Sequence, residues 1–149
     1  MHTLTVTKII KAPIEDVFEA FTDHEKLSQV FGVRSCVLTR HGNTEKNGLG
    51  AIRELDCGQI LLREEITAFN RPNRMEYRIL SSRPQAKHEY GQVDFIAIPE
   101  GTKVTWTTRF GVQLPGPSKL IDSAFGVVFG ISFRLVLRNV ERRALATQR

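Results

Sequence analysis

The feature that most constrains the fold is a change of hydrophobic period near residue 115. From residue 33 to residue 111, short β-rich runs alternate with turn sequences, and after Pro115-Gly116-Pro117 apolar residues recur at helical spacing. Six strands are predicted, at about residues 33–41, 49–57, 59–69, 74–81, 87–98 and 102–111. Their regular spacing and hairpin-length turns favour one continuous antiparallel sheet over parallel βαβ units.

The first thirty residues predict one more strand and two short helices. Residues 3–10 alternate apolar and polar side chains, which is typical of a half-buried strand. Pro13 suits the first turn of a helix. The apolar residues that follow recur at i, i+3, i+4 and i+7, namely Ile14, Val17, Phe18 and Phe21. Asp23 is then predicted to cap a second short helix over residues 24–30.

A long C-terminal helix is predicted to reach Leu145. Its apolar stripe comprises Leu120, Ile121, Ala124, Phe125, Val128, Ile131, Leu135 and Val136. The opposite, polar side carries Asp122, Arg134, Arg138 and Arg142. Gly126 and Gly130 each destabilise a helix by roughly 0.5–1 kcal/mol relative to alanine. Two explanations stay open: close packing or bending of the helix, or a hinge beside a cavity entrance formed by residues 111–118.

Length and composition indicate one globular domain, residues 1–149. The chain of 149 residues is 41% hydrophobic and 25% charged, far from the composition of a disordered chain. We therefore predict an α+β fold in which a strongly bent, seven-stranded antiparallel sheet wraps around the long C-terminal helix. One helix cannot fill such a sheet, so a small-molecule cavity is expected between them.

The sequence predicts a soluble cytoplasmic protein. The N-terminal residues lack the pattern of a secretory signal, and Cys36 and Cys57 do not form a C-x-x-C pair, so they are interpreted as reduced thiols. The longest apolar stretch, residues 124–133, is interrupted by glycine and serine and is shorter than the roughly 20 residues of a membrane span. Stable membrane insertion is therefore not expected.

No metal, cofactor or nucleic-acid site is predicted. The four histidines, His2, His24, His41 and His88, lie on different elements without the spacing of a metal motif. There is no nucleophile elbow, phosphate loop or dinucleotide fingerprint. The net charge is +5, and the basic stripe of the last helix has no interleaved aromatic residues on which bases could stack.

Several segments together resemble a known family. They are IKAPIEDVFEAFTDHEKL at residues 10–27, GLGAIR at 48–53, REEITAF at 63–69 with PNRMEY at 72–77, and GTKVTW at 101–106. These segments are similar to the polyketide cyclase/dehydrase branch of the SRPBCC (START-like) superfamily. The resemblance covers almost the whole chain and implies the helix-grip fold. It also implies a hydrophobic ligand, such as a lipid, a quinone or a polyketide-like molecule.

Strand alternation selects the residues that would line the cavity. If Ile66 faces the concave side of the sheet, Ile60, Leu62 and Glu64 face it too. The predicted ligand-binding residues are Leu62, Glu64, Ile66, Met75, Tyr77, Ile79, Trp106, Thr108, Phe125 and Phe129. His88 and Tyr90 have the opposite parity from Val93 and are assigned to the rim or the surface.

Three polar residues, Glu64, Arg53 and Tyr77, could carry chemistry. A carboxylate in an apolar cavity gains proton affinity unless a cation pairs with it, so Glu64 is the candidate general acid or base. The resemblance to polyketide cyclases implies that Arg53 and Tyr77 would orient the substrate or stabilise an enolate. The alternatives are a structural Arg53–Glu64 pair and aromatic residues that only pack the core. Alternation does not decide whether Arg53 points inward or outward.

Three functions are therefore compatible with the sequence. The first is a protein that binds one small hydrophobic ligand in the cavity. The second is a polyketide cyclase or dehydratase that uses Glu64. The third is an interaction module that engages a partner through the basic helix or an open sheet edge, and dimerisation through that edge is compatible with it.

Overall fold

The computed structural model describes residues 1–148; Arg149 lies outside the described residues. Strand β1 (His2–Ile10) precedes helix α1 (Ile14–Thr22) and a short 3₁₀ helix (His24–Gln29). Six strands follow: β2 (Ser35–Arg40), β3 (Ile52–Asp56), β4 (Leu61–Asn70), β5 (Arg74–Arg83), β6 (Ala86–Ile98) and β7 (Gly101–Val112). Helix α2 (Ser118–Ala146) closes the chain.

The seven strands form one antiparallel sheet. Its order is β1-β7-β6-β5-β4-β3-β2, so each strand from β2 to β7 lies beside its neighbour in sequence and β1 joins the far edge next to β7. The sheet bends around α2, which confirms the predicted α+β helix-grip fold. β2 and β3 are shorter than predicted because residues 41–51 form a loop with its own hydrogen bonds, among them Asn43 N–H to Leu49 O.

The closed core lies between α1, the centre of the sheet and the C-terminal half of α2. Phe18 and Phe21 of α1 are buried and pack edge-on against Phe95 of β6, at ring-centroid distances of 5.0 and 5.6 Å. The 3₁₀ helix forms where the second short helix was predicted. Asp23, however, makes no side-chain capping bond there, so that part of the prediction was wrong.

The predicted apolar stripe of α2 was partly wrong. Leu120, Ala124, Val128 and Ile131 are exposed, whereas Asp122, which was assigned to the polar side, is buried. The Asp122 carboxylate accepts a hydrogen bond from Val112 N–H at 2.8 Å and forms an ion pair with the Met1 amino group. The first half of α2 therefore presents aliphatic side chains to solvent.

Glycine determines which face of α2 meets the sheet. A Cβ at Gly126 would lie 2.5 Å from Nε2 of His2, and a Cβ at Gly130 would contact Leu4, both on β1. The two glycines therefore allow close packing of α2 against β1, one of the two explanations left open by the sequence. Since this contact orients the helix, residues on other faces are turned to the cavity or to solvent, whatever their hydropathy.

The remaining surface of α2 is basic and apolar. Arg134, Arg138 and Arg142 are exposed, as the basic stripe requires. By length and composition α2 is also apolar enough to cross a membrane, and 28% of its apolar 18-residue segment is buried inside the protein. One such helix is weak evidence, and the absence of stable membrane insertion stays a prediction.

Candidate functional site

A cavity with two lobes lies between the sheet and the first half of α2. The first lobe, toward the end of β5 and the start of β6, has a volume of about 60 Å³. The second, toward the 3₁₀ helix, has a volume of about 120 Å³. The lobes share part of their walls: Ile60, Leu62, Glu64, Tyr77, Phe129 and Phe133. We treat them as one site.

The walls are mainly aromatic and aliphatic. Phe125, Phe129 and Phe133 recur every four residues on α2 and point into the first lobe. Phe129 packs edge-on against Phe110 of β7, and Phe133 stacks on Trp106 with a centroid distance of 3.6 Å. An apolar wall of this kind favours the uptake of an apolar molecule from water.

Most of the predicted ligand-binding residues line this cavity. Its walls include Leu62, Glu64, Tyr77, Ile79, Trp106, Thr108, Phe125 and Phe129. Ile66 and Met75 do not line it, and their predicted place was wrong. They share the inner sheet face but lie further along their strands, in the closed core beneath α1, with 1% and 0% of their surface exposed.

Two β-bulges decide which residues of β5 and β6 face the cavity. Glu64 pairs with Ile79 and Arg63 with Ser81, so Leu80 is an extra residue of β5. On β6, His88 pairs with Phe110 and Tyr90 with Arg109, so Glu89 is extra. Each bulge reverses the alternation, so the inward-facing residues become even-numbered after Leu80 on β5 and before Glu89 on β6. The assignment of His88 to the rim or surface was therefore wrong, whereas Tyr90 is exposed.

Arg53 points inward and pairs with Glu64. The two residues are direct partners in the register of β3 and β4, and both are about 95% buried. Arg53 Nε and Nη2 each lie 2.9 Å from Glu64 Oε1. Burial is the largest single influence and would lower the pKa of Arg53, but the Glu64 carboxylate, together with Cys36 and Tyr77, outweighs it and the pKa is raised. The guanidinium and the carboxylate thus neutralise one another inside the protein.

His24 completes this buried cluster and was missed as a functional residue. The His24 Nε2–H donates to the Asn47 carbonyl at 2.9 Å. This leaves Nδ1 to accept a hydrogen bond from Arg53 Nη1–H at 3.0 Å. Burial and the Arg53 charge lower the pKa of His24 to about 3, so the ring is neutral. Its place directly after Asp23 suggested only a helix start, and nothing in the local pattern indicated a contact with β3.

Only one oxygen of Glu64 is engaged by the protein. Oε1 accepts the hydrogen bond from Arg53 Nε–H and lies in ion-pair contact with Nη2, whereas Oε2 accepts none from the described residues. Glu64 lines both lobes and its Oε2 atom is not fully enclosed by the protein, so Oε2 retains contact with the cavity. The cavity therefore holds a carboxylate oxygen that is free to accept a hydrogen bond from a ligand.

Tyr77 lies beside this carboxylate, and its hydroxyl accepts a hydrogen bond from Trp106 Nε1–H at 2.9 Å. The Arg53 guanidinium lies over its ring, 5.3 Å from the centroid. Burial, followed by the nearby Glu64 charge, raises the pKa of Tyr77, so the phenol keeps its proton. Tyr77 thus contributes a protonated hydroxyl to the polar cluster.

His88 is locked as a neutral ring on the other side of Tyr77. The two rings stack with a centroid distance of 5.6 Å. His88 Nδ1 accepts from Ile79 N–H at 3.1 Å. The Thr108 hydroxyl donates its proton to the Tyr90 carbonyl, so Thr108 Oγ1 acts as the acceptor for His88 Nε2–H at 2.9 Å. Burial lowers the pKa of His88 to about 4.

The second lobe opens between α2 and the chain that follows the 3₁₀ helix. Phe31, 89% exposed, and the exposed Val128 both contribute to its wall. Of residues 111–118, considered as a cavity entrance, only Val112 lines a lobe. Among residues 1–148 no group of three or more histidine, cysteine or acidic side chains could hold a metal ion.

Sequence comparison places the chain that forms this cavity in a family. Residues 1–144 match the family described as polyketide cyclase/dehydrase and lipid transport. The chain belongs to this family. No curated protein sequence gives a significant match.

Solved structures similar to this polyketide cyclase/dehydrase family member show the same fold. TTHA0849 from Thermus thermophilus superimposes with a TM-score of 0.81, 19% identity and coverage of 99% of this chain and 100% of the other. Zhui aromatase/cyclase from Streptomyces sp. R1128 has a TM-score of 0.75, 15% identity and coverage of 99% and 96%. A START superfamily protein from Mycobacterium smegmatis has a TM-score of 0.67, 12% identity and coverage of 91% and 97%. The fold is thus START-like.

Proposed function

We propose that this protein binds one small hydrophobic molecule in the cavity between the sheet and α2. The observation that carries the proposal is a phenylalanine-lined cavity with a free carboxylate oxygen of Glu64 in its wall. Small-molecule sites are typically apolar clefts with a few convergent polar groups, and this cavity has that composition. The family description supports the same interpretation.

The dimensions favour a compact ligand. The lobes, about 60 and 120 Å³, lie below the range of about 300–1,000 Å³ typical of drug-sized ligand sites. A molecule of one or two rings fits this space better than a long acyl chain. A larger ligand would require α2 to move away from the sheet.

The experiment combines native mass spectrometry with ligand titration. The protein purified from its own host is examined for a stoichiometric hydrophobic adduct, and then a panel of quinones, fatty acids and ring compounds is titrated. Trp106 is the single tryptophan and lines the second lobe, so its fluorescence reports occupancy. Saturable binding with a raised melting temperature supports the proposal. If nothing in the panel changes either signal and no adduct is found, the proposal is wrong.

Two matched variants on β6 test whether the ligand binds in the cavity. Ala86 lines the first lobe, whereas Ala97 on the same strand is exposed. We expect Ala86→Phe to fill part of the lobe and to weaken ligand binding by tenfold or more. Ala97→Phe adds the same side chain outside the cavity and should bind ligand like the unaltered protein. Equal loss in both variants would count against this location.

A second candidate function is a cyclase or dehydratase reaction in the same cavity. It is favoured by Glu64 Oε2, which could take a proton from a substrate, and by the adjacent Tyr77 hydroxyl. Arg53 is less available than the sequence suggested, because Glu64 and His24 contact all three of its nitrogen atoms at 2.9–3.0 Å. The test is turnover of a polyketide-like substrate: activity that survives Glu64→Gln in a folded protein would remove Glu64 as the base.

A further inference from the structure

We infer that the ligand is an uncharged ring compound with a hydroxyl donor, and that Glu64 Oε2 accepts this hydrogen bond. The inference rests on the proposed binding function and adds the chemical class of the ligand. Its basis is the asymmetry of the buried pair: Arg53 Nε–H donates to Oε1, Arg53 Nη2 lies 2.9 Å from the same oxygen, and Oε2 is left free in the cavity. A free acceptor in an apolar wall selects for a donor.

The arrangement disfavours an anionic ligand. The positive charge of Arg53 is already matched by Glu64, and His24 occupies a further guanidinium N–H at 3.0 Å. A ligand carboxylate that approached Arg53 would lie beside the Glu64 carboxylate and meet like charge in a poorly solvated space. This geometry therefore does not support Arg53 as a binding site for a ligand carboxylate.

A cationic ligand is disfavoured for a related reason. His24 and His88 each accept a hydrogen bond at Nδ1 and are therefore neutral, so the Arg53–Glu64 pair leaves the polar cluster without net charge. An ammonium ion would bring an unbalanced charge into a wall of phenylalanine side chains. A hydroxyl satisfies Oε2 without such a charge, while the aromatic rings pack against the rest of the molecule.

The test is a matched series of naphthalene derivatives, titrated against the full chain with Trp106 fluorescence as the readout. The series comprises naphthol, its methyl ether, naphthalene, naphthoate and naphthylmethylammonium. The methyl ether keeps the oxygen and removes only the donor. We expect naphthol to bind at least about tenfold more tightly than every other member, as a hydrogen bond to a charged group requires.

The outcomes separate this inference from the proposed function. Equal affinity for naphthol, its methyl ether and naphthalene would overturn the inference but leave hydrophobic binding intact. Tightest binding of naphthoate or of the ammonium compound would also overturn it. Failure of the whole series to bind would overturn the proposed function for ring compounds and the inference with it.

Two neighbouring glutamates supply the variants. Glu64→Gln removes the charge that balances Arg53, so naphthol should lose at least tenfold and naphthoate should gain. Glu65→Gln makes the same change at the next residue, which pairs with Arg40 on the outer side, and should leave the order of affinities unchanged. The selectivity of the unaltered protein tests the inference even if Glu64→Gln does not fold.

Discussion

Arg53 and Glu64 face each other across β3 and β4, and two guanidinium nitrogens converge on one carboxylate oxygen at 2.9 Å. The contact determines the polarity of the cavity. It neutralises the one buried arginine of the described residues and turns a single free oxygen toward the ligand space. A buried pair of this kind contributes little net stability, yet the loss of one partner is costly.

The first prediction concerns that cost. Glu64→Gln leaves the Arg53 charge buried without a counter-charge, so we expect the free energy of unfolding to fall by about 3–5 kcal/mol. Glu65→Gln should cost less than about 1 kcal/mol, because both of its partners, Arg40 and Arg78, are exposed. Urea denaturation of both variants measures the difference. Equal stability of the two would contradict the role assigned to the buried pair.

The second prediction concerns acid. The folded-state pKa is lowered to about 3 for His24, by burial and by Arg53, and to about 4 for His88, by burial. Unfolded histidine titrates near 6.5, so below about pH 6.5 the unfolded chain binds protons that the folded chain does not. The free energy of unfolding should therefore fall with decreasing pH, by at most about 1.4 kcal/mol per pH unit for each histidine. Above that pH these two groups should contribute no slope.

Urea denaturation between pH 7 and pH 5 tests this slope, in a range above most carboxylate titrations. His88→Gln should make the profile shallower, although the partly exposed ring contributes less than the maximum. His41→Gln is the control, because His41 is an exposed histidine outside the cavity. A profile that is flat over this range would contradict the neutral state of both rings.

The third prediction concerns Gly91 and Tyr77. A Cβ at Gly91 would overlap Cζ of the buried Tyr77 ring, which Trp106 and His88 hold in place. Gly91→Ala should therefore destabilise the protein by about 1–2 kcal/mol, even though alanine is favoured over glycine in a strand. In a Tyr77→Ala background the overlap disappears, and Gly91→Ala should then be neutral or stabilising. A double-mutant cycle measures this coupling, and strict additivity would refute it.

The fourth prediction concerns the two thiols. Burial raises the pKa of Cys36 to about 11 and also raises that of Cys57, but Cys57 is only half-buried and lines the second lobe. Iodoacetamide should therefore alkylate Cys57 faster than Cys36. Saturation with a cavity ligand should slow Cys57 at least severalfold, which peptide mass spectrometry can follow. An unchanged Cys57 rate at saturation would mean that the ligand does not occupy the second lobe.

Much of the fold could be predicted from local patterns. The period of two in the strands, the period near 3.6 in α1 and α2 and the turn residues between them indicated the order of elements. The alternation on β4 also placed Leu62 and Glu64 on the inner face, and the structure lines the cavity with both. Whether these residues bind a ligand stays a prediction.

The errors share a physical cause. His88 was misplaced because one extra residue in β6 reverses the alternation, and a bulge has no reliable local signal. The stripe of α2 was misjudged because glycine contacts with β1, and not the aliphatic side chains, orient the helix. Ile66 and Met75 have the predicted direction, but their distance along the strands places them beneath α1.

The sequence by itself determined the order of the elements and the inward parity of β4, because alternation and helical spacing act within a few residues of the chain. Only the tertiary structure decided the direction of Arg53, its contact with His24 and the freedom of Glu64 Oε2. These features join residues 24, 53 and 64, and they depend on strand register, on bulges and on the distance of closest approach between α2 and the sheet. Such quantities are determined when all the elements pack together.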